Sequence, residues 1–329
     1  MADGTRGTIV VTELEFAKGE SVFRQAAEQG WTCVSAPAEE RALADAIRRH
    51  GAVAAIVGVD AYTGPLYESL PRGGVIARFG VGHDGIDKAL ASGKGLLCTN
   101  TPGVLDDSVA EYAVALMLAA ARQVAATGAA CARGDWTPGI GFELRGKTLA
   151  LIGCGGIGCR VARLASRGFG MRVVGCRANP EKGSELCSEF GFERISGEWT
   201  EAVGEADFVS LHIPATPATR HYVNVGRLGQ IPARAWLINT ARGAVVDENA
   251  LFDALASGRL AGAALDVFER EPYAPADPAR DLRTLPSVLM TPHVGSSTRE
   301  ACRRVAECCL RNISLAATGR NAHLDLLNM

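Results

Sequence analysis

The chain has almost no net charge: 34 Lys and Arg against 36 Asp and Glu leave -2 with histidine neutral. Nothing in that balance calls for nucleic acid or an anionic membrane as partner. Long apolar runs are missing too. The longest strongly apolar stretch, AVALMLAAA at 113–121, is about half of a membrane span. The opening MADGTRGTIVVTEL has no charged stretch followed by an apolar core of roughly 7–15 residues, so no secretory signal and a cytoplasmic location are expected. Among the ten cysteines (33, 98, 131, 154, 159, 176, 187, 302, 308, 309) there is no C-x-x-C pair, and no histidine stands at zinc-like spacing. Neither a metal site nor a disulfide framework is indicated, and reduced thiols are expected. Repeats, low-complexity tracts and long linkers are also absent.

What remains is a chain of 329 residues, 47% hydrophobic and 21% charged, long enough for two ordinary globular domains. Over the first hundred residues TIVVTEL, WTCVSA, VAAIVGV, VIARFG and GLLCTN read as short buried strands, with helix-like runs SVFRQAAEQG and EERALADAIRRHG between them. Strands alternating with helices imply a parallel sheet with right-handed crossovers. TPGVLDDSVAEYAVALMLAAARQ reads as one long helix with a broad apolar surface, to be buried between domains or subunits. A Gly-rich stretch, ARGDWTPGIGFELRG, delays a second alternation: KTLALIG, MRVVGC, DFVSLHIP, AWLINTA, GAALDVF and SVLMTPH. The last helix, TREACRRVAECCLRNISLAAT, is expected to pack back on the first domain. The fold class expected is α/β with two doubly wound parallel sheets. Residues 1–102 plus 295–329 form one domain, flavodoxin-like, and 103–294 form a Rossmann dinucleotide-binding domain.

GCGGIG at 153–158 follows the strand LALI and opens the helix GIGCRVARLASRG, the context that gives G-x-G-x-x-G its meaning. Gly153 permits the tight turn, Gly155 lets a pyrophosphate approach and Gly158 lets helix pack on strand, with Gly156 and Ile157 completing the turn. The helix N-terminus then offers amides and a positive dipole to phosphates. At the tip of the next strand, VVGCRANP carries Arg177 and no acid until Glu181. An acid there would bind a ribose diol, whereas a guanidinium suits a 2′-phosphate. NAD(P) is the expected cofactor, with NADP favoured. Cys154, inside this turn, reads as a small buried residue rather than an oxidation switch.

Three later phrases end a β-rich run in a turn and then present a polar group: NTARGAVVD with Arg242, LDVFEREP with Glu271, and TPHVG with His293. Such groups at strand carboxyl ends face the ligand crevice of a doubly wound sheet. A cation, a carboxylate and an imidazole could clamp an anionic substrate and move its proton, and imidazole suits proton transfer near neutrality. His50 and His323 read as surface residues, while His83, His212 and His221 lie on loops. Position alone leaves His293 open between a site residue and a structural one.

The series GCGGIG, LHIPATPATRHYVN, INTARGAVVDENAL, GAALDVFEREP and TPHVGSST resembles the motif series of the D-isomer-specific 2-hydroxyacid dehydrogenases. RFGVGHDGID and TNTPGVLDDSVAEYAVALMLAAAR extend that resemblance into the first domain. Glyoxylate/hydroxypyruvate reductases and phosphoglycerate dehydrogenases are the nearest in kind. The resemblance implies His293 as acid/base with Glu271 as its carboxylate partner, Glu269 being the nearby competitor. It implies Arg242 as the binder of substrate carboxylate and carbonyl oxygen. Asp266 would stand near the nicotinamide amide, Thr240 and Ala241 along the same cofactor edge, and Pro214 on the adenosine side. His212, Thr219, His293 and Gly295 are also counted as cofactor neighbours. Val81 and Gly82 resemble a loop that holds the substrate carboxylate from the other domain, and Val59 is placed with them. The long helix 104–122 is expected at a homodimer contact. The expected mechanism binds cofactor first and closes the domains over a 2-oxo acid.

The loop VGVDAYTG lacks the arginines that hold phosphoglycerate, and Arg78 lies on another strand. Glu271 stands where formate-oxidising relatives have Gln. Phosphite or phosphonate oxidation stays open, as does a cofactor-sensing scaffold of the corepressor kind.

Overall fold

A computed structural model describes residues 6–328. The chain divides into two compact units, one running to Leu105 and resuming at Ser297, the other Asp106–Ser296. Among the described residues no single helix is long and apolar enough to cross a membrane.

The first unit holds β1 (Gly7–Thr12), β2 (Trp31–Ala36), β3 (Ala54–Val57), β4 (Val75–Arg78) and β5 (Leu97–Thr99) in the order β2-β1-β3-β4-β5. All pairings are parallel. This is the flavodoxin-like order, whose switch point lies between β1 and β3. Every residue of β3 and β4 is buried, as expected of strands covered by helices on both faces. The helix Arg299–Ala317 packs on β4 and on the helix Glu20–Gln25 of the same unit.

The second unit holds β6 (Thr148–Ile152), β7 (Arg172–Cys176), β8 (Arg194–Ser196), β9 (Phe208–Leu211), β10 (Trp236–Asn239), β11 (Gly262–Leu265) and β12 (Val288–Met290). Their order is β12-β11-β10-β9-β6-β7-β8, again all parallel. This is a Rossmann sheet with its crevice where β6 meets β9. Alternate residues of β6 serve opposite layers, as strand geometry requires. Leu149 and Leu151 pack with Ala113, Leu116 and Met117 of the helix Asp106–Arg122, while Ala150 and Ile152 pack with Val209, Leu211 and Leu237. That helix therefore buries its apolar face inside its own unit.

Four local readings shift. The strand read as TIVVTEL stops at Thr12, which still pairs with Ala36 of β2, and Glu13–Lys18 is helical. Glu15 turns inward, where Thr12 Oγ1 donates to its carboxylate. The SVFRQAAEQG run is a helix, Glu20–Gln25, tightened to a 3-10 turn at Ala26–Gln29 and ended by Gly30 at φ 81°. The edge strand β8 has no sequence signature, being three residues long with Arg194 at its start. After Gln123 (φ 53°) the chain bends by 62° into a further helix, Val124–Ala132. Residues 131–141 are exposed throughout.

Candidate active site

The phosphate-loop glycines differ in what surrounds them. Gly153 adopts φ 104°, and a Cβ there would lie 2.4 Å from His212 O. A Cβ on Gly158 would lie 2.1 Å from Gly153 O, so the helix Gly156–Arg163 sits directly on the turn. A Cβ on Gly156 would strike Asp106 Oδ2 at 2.2 Å. Arg160 also binds that carboxylate, at 2.9 Å, and Asp107 at 2.7 Å. Only Gly155, the N-cap, is open: a Cβ there meets nothing within 4 Å. The turn is thus filled from within and vacant where a pyrophosphate would approach, above the helix N-terminus. Ile157 is half-buried in the first turn of the helix.

Around this turn, Arg177 follows β7, half-buried, its N–H donating to Ser196 O of β8 at 3.0 Å. His212 follows β9 with Nε2 2.9 Å from Ser210 Oγ. Burial pulls its imidazole down to about 4, so it is neutral at pH 7 and carries a single ring N–H. Thr219 Oγ1 donates to Pro214 O at 2.6 Å, tying the loop between them. At the end of β10, Thr240 Oγ1 is buried without a hydrogen-bond partner, an orphaned polar atom that a polar ligand could satisfy. An open Gly155 cradle and an unmet hydroxyl on neighbouring strand ends fit a dinucleotide.

Arg242, Glu271 and His293 follow β10, β11 and β12, three adjacent strands. Asn239 shapes the first turn: Nδ2 donates to Arg242 O at 2.9 Å and Oδ1 accepts from Ala241 N at 3.0 Å. This residue was not singled out from sequence, although the Asn of NTARG was in plain view. Gly243 then lies against the Phe268–Glu269 peptide, where a Cβ would come within 1.8 Å of Phe268 C. The Arg242 turn and the 268–271 turn are therefore in direct backbone contact.

His293 Nδ1 lies 2.7 Å from Glu271 Oε2. Burial alone would raise the Glu271 carboxyl. The His293 hydrogen bond and charge, the Phe268 N–H donating at 3.0 Å and the Arg242 charge outweigh it, and Glu271 stays below the usual carboxylate range. Glu269, the competitor two residues earlier, turns instead to His221, 2.9 Å away.

His293 itself sits at φ 54°, in the left-handed region that few non-glycine residues adopt. Asp266, 1% exposed, holds it there. Its Oδ1 accepts from Thr291 Oγ1 at 2.7 Å and Val294 N at 2.9 Å, and its Oδ2 from Gly295 N at 2.8 Å. His293 N donates to Asp266 O at 2.8 Å. Asp266, read from the resemblance as a cofactor neighbour, thus spends its carboxylate on the turn that carries the imidazole.

In the first unit, Val59 is half exposed, at 51%. Val81 O accepts from Asn100 Nδ2 at 2.8 Å, and Gly82 is partly buried beside it. Tyr62 N donates to Gly85 O at 3.0 Å, and a Cβ on Gly85 would lie 2.1 Å from Asp60 O. The 58–62 and 81–86 loops are locked together. Arg78 is buried and donates to Phe79 O.

A dinucleotide cradle at a switch point, with a carboxylate-backed imidazole and a guanidinium on neighbouring strand ends, defines a nicotinamide-dependent oxidoreductase. Residues 114–295 match the NAD-binding domain of the D-isomer specific 2-hydroxyacid dehydrogenases. The glyoxylate reductase of Thermococcus litoralis is 40% identical over 77% of each chain. The hydroxypyruvate reductase of Thermotoga maritima is 43% identical over 70% of this chain and 73% of its own. The NADPH-dependent glyoxylate/hydroxypyruvate reductase of Sinorhizobium meliloti, solved with NADP and malonate, superposes with a TM-score of 0.80 at 29% identity, covering 94% of this chain and 93% of that one. The chain belongs to the D-isomer-specific 2-hydroxyacid dehydrogenase family. It is an NAD(P)-dependent enzyme acting on the CH–OH group of 2-hydroxy acids.

Proposed function

We propose that this enzyme reduces a small 2-oxo acid of the glyoxylate or hydroxypyruvate kind, with His293 as the proton donor. The observation that carries this reading is the 2.7 Å His293–Glu271 pair on a strand end beside that of Arg242. The cofactor, when bound, supplies hydride for C2. His293 gives its Nε2 proton to the carbonyl oxygen, since Nδ1 is engaged by Glu271. The Glu271 charge stabilises the imidazolium before transfer and fixes the ring's orientation, as a carboxylate does behind any acid–base histidine. Arg242 offers planar donors to the substrate carboxylate and polarises the carbonyl. Asp266 and Asn239 hold the two turns to the narrow geometry that orientation-dependent catalysis demands. In the first unit, the loops of Val59 and of Val81–Gly82 are the selectors of the substrate side chain.

Gly153, Gly155, Gly156, Ile157 and Gly158 would hold the pyrophosphate, with Thr240, Ala241 and Gly295 towards the nicotinamide and His212, Pro214 and Thr219 towards the adenosine. Arg177 favours NADP, because a guanidinium after β7 complements a 2′-phosphate. Ten unbridged cysteines, seven of them buried, fit a reducing cytoplasm. The oligomer proposed is a homodimer. Its contact is proposed to take in the helix Asp106–Arg122 and the exposed apolar segment that follows it: Val124, Trp136 (87% exposed), Ile140 (94%) and Phe142. The test is a panel of glyoxylate, hydroxypyruvate, pyruvate and phosphite with each reduced or oxidised cofactor, read at 340 nm. Turnover on 2-oxo acids is expected; activity confined to phosphite would overturn the reading.

A further inference from the structure

The turn 268–271 carries an acid on each side. Glu271 faces His293, while Glu269 Oε2 lies 2.9 Å from His221 Nε2 and 3.6 Å from the Arg220 guanidinium. Behind Glu269 stands Glu248, first residue of the helix Glu248–Ala256 and only 7% exposed. The two clasp each other's backbone. Glu269 N donates to Glu248 Oε1 at 2.7 Å, and Glu248 N donates to Glu269 Oε1 at 3.3 Å. His221 is held at φ 48°, its N–H donating at 2.8 Å to Ala244 O in the turn directly after Arg242. The second imidazole–carboxylate pair therefore touches both turns that present the site.

We propose that His221, Glu269 and Glu248 are positioning residues: a second imidazole–carboxylate cluster that braces the 268–271 turn and sets the proton affinity of the Glu271–His293 pair from behind. The proposal rests on His293 as the acid/base. Burial, reinforced by the charges of Glu269 and Glu271 and opposed by the Glu269 N–H and His221, pushes Glu248 up to about 7. It thus gains its charge near neutral pH. The groups facing it are Glu269 and Glu271 on the turn after β11, His221 on the loop after β9, and Tyr273. A negative Glu248 favours the protonated imidazole of the catalytic pair, and a protonated His221 disfavours it. Interacting sites of this kind titrate as a set.

The test is a pH titration of the His293 ring by nuclear magnetic resonance in the full-length enzyme, its signal identified by its loss in His293→Asn. Wild type is compared with Glu248→Gln and His221→Asn, asparagine being chosen because it tolerates a left-handed backbone. Glu248→Gln should move the midpoint down and His221→Asn should move it up. Each shift should be about half a pH unit, roughly threefold in proton affinity, the scale of one charge acting through partly solvated protein. Loosening of the turn would move both the same way. Coincident titrations, or shifts of the same sign, overturn the proposal. If Glu248→Gln does not fold, His221→Asn alone decides by the direction of its shift. The pH profile of kcat/KM with glyoxylate should follow the same midpoints. Because the titration needs no turnover, inactivity on every 2-oxo acid would reject the active-site reading separately.

Discussion

Gly155 and Gly158, three residues apart in one loop, should fail in opposite ways when changed to alanine. At Gly158 the added methyl would lie 2.1 Å from Gly153 O, a main-chain atom that cannot swing aside. Helix and β6 must separate, at a cost near the upper end of the ~1–3 kcal/mol typical of overpacking. Alanine's better helix propensity returns ~1 kcal/mol, leaving a net loss of about 2 kcal/mol. For a unit of this size that lowers Tm by about 4–8 °C. At Gly155 the methyl meets nothing, and φ -88°, ψ -165° is open to alanine. Stability should hold or rise by up to ~1 kcal/mol. The methyl would instead occupy the side proposed for the pyrophosphate, and cofactor Kd should weaken at least tenfold, about 1.4 kcal/mol. Circular dichroism melts and fluorescence titrations with NADPH and NADH measure both quantities on both variants. A Gly155→Ala enzyme that binds cofactor as tightly as wild type would refute the open-cradle argument. An unchanged Tm in Gly158→Ala would refute the packing argument.

His293→Ala should lower kcat by about 10²–10⁴. Glu271→Gln should keep the fold and bring the alkaline limb of 2-oxo acid reduction down by about one pH unit, since the protonated imidazole loses its charged partner; an unmoved limb would count against the pairing. Stability should follow the two acids in opposite directions. Glu271, held low, contributes above the ordinary glutamate value and loses that contribution as pH falls through its folded value, whereas Glu248, raised to about 7, destabilises progressively from about pH 4.5 to 7. Glu248→Gln should therefore raise Tm more at pH 8 than at pH 5, the difference amounting to on the order of 2–3 kcal/mol. Arg177→Ala should reduce kcat/KM with NADPH at least tenfold and leave NADH within about twofold; equal losses would remove Arg177 from the 2′-phosphate. Changing Trp136 and Ile140 together to Asp should yield a monomer by sedimentation at micromolar concentration without lowering Tm in the second unit.

The first-unit loops proposed as substrate selectors show why their shape is hard to read from a sequence. VGVDAYTG and RFGVGHDGID look like two unrelated turns, yet Tyr62 N, Gly85 O and Asp60 O interlock them. Their shape comes from backbone contacts more than twenty residues apart, which no local propensity encodes. The packing of the long helix is hidden for a similar reason. Apolar periodicity located a helix at 106–122 but could not say that Leu149, Leu151 and Ile238 would pack on its face, nor that Trp136 and Ile140, in a stretch read only as a delay between strands, would be left exposed.

By itself the sequence determined the alternation of strands and helices, because buried parallel strands must be apolar runs and the crossovers must be amphipathic. It also determined the phosphate turn, because only glycine tolerates φ 104° at 153 and a main-chain oxygen 2.1 Å from a Cβ at 158, and it placed Arg242, Glu271 and His293 at strand ends. Tertiary structure decided which acid meets which imidazole. Glu269 and Glu271 are nearly interchangeable in a motif; only the packing of the 268–271 turn against Gly243 sends one to His221, 48 residues away, and the other to His293. It decided as well that Asp266 serves the His293 turn and that Glu248 is buried among charges. Proton affinity depends on solvation and neighbours in space, and those exist only once the chain has folded.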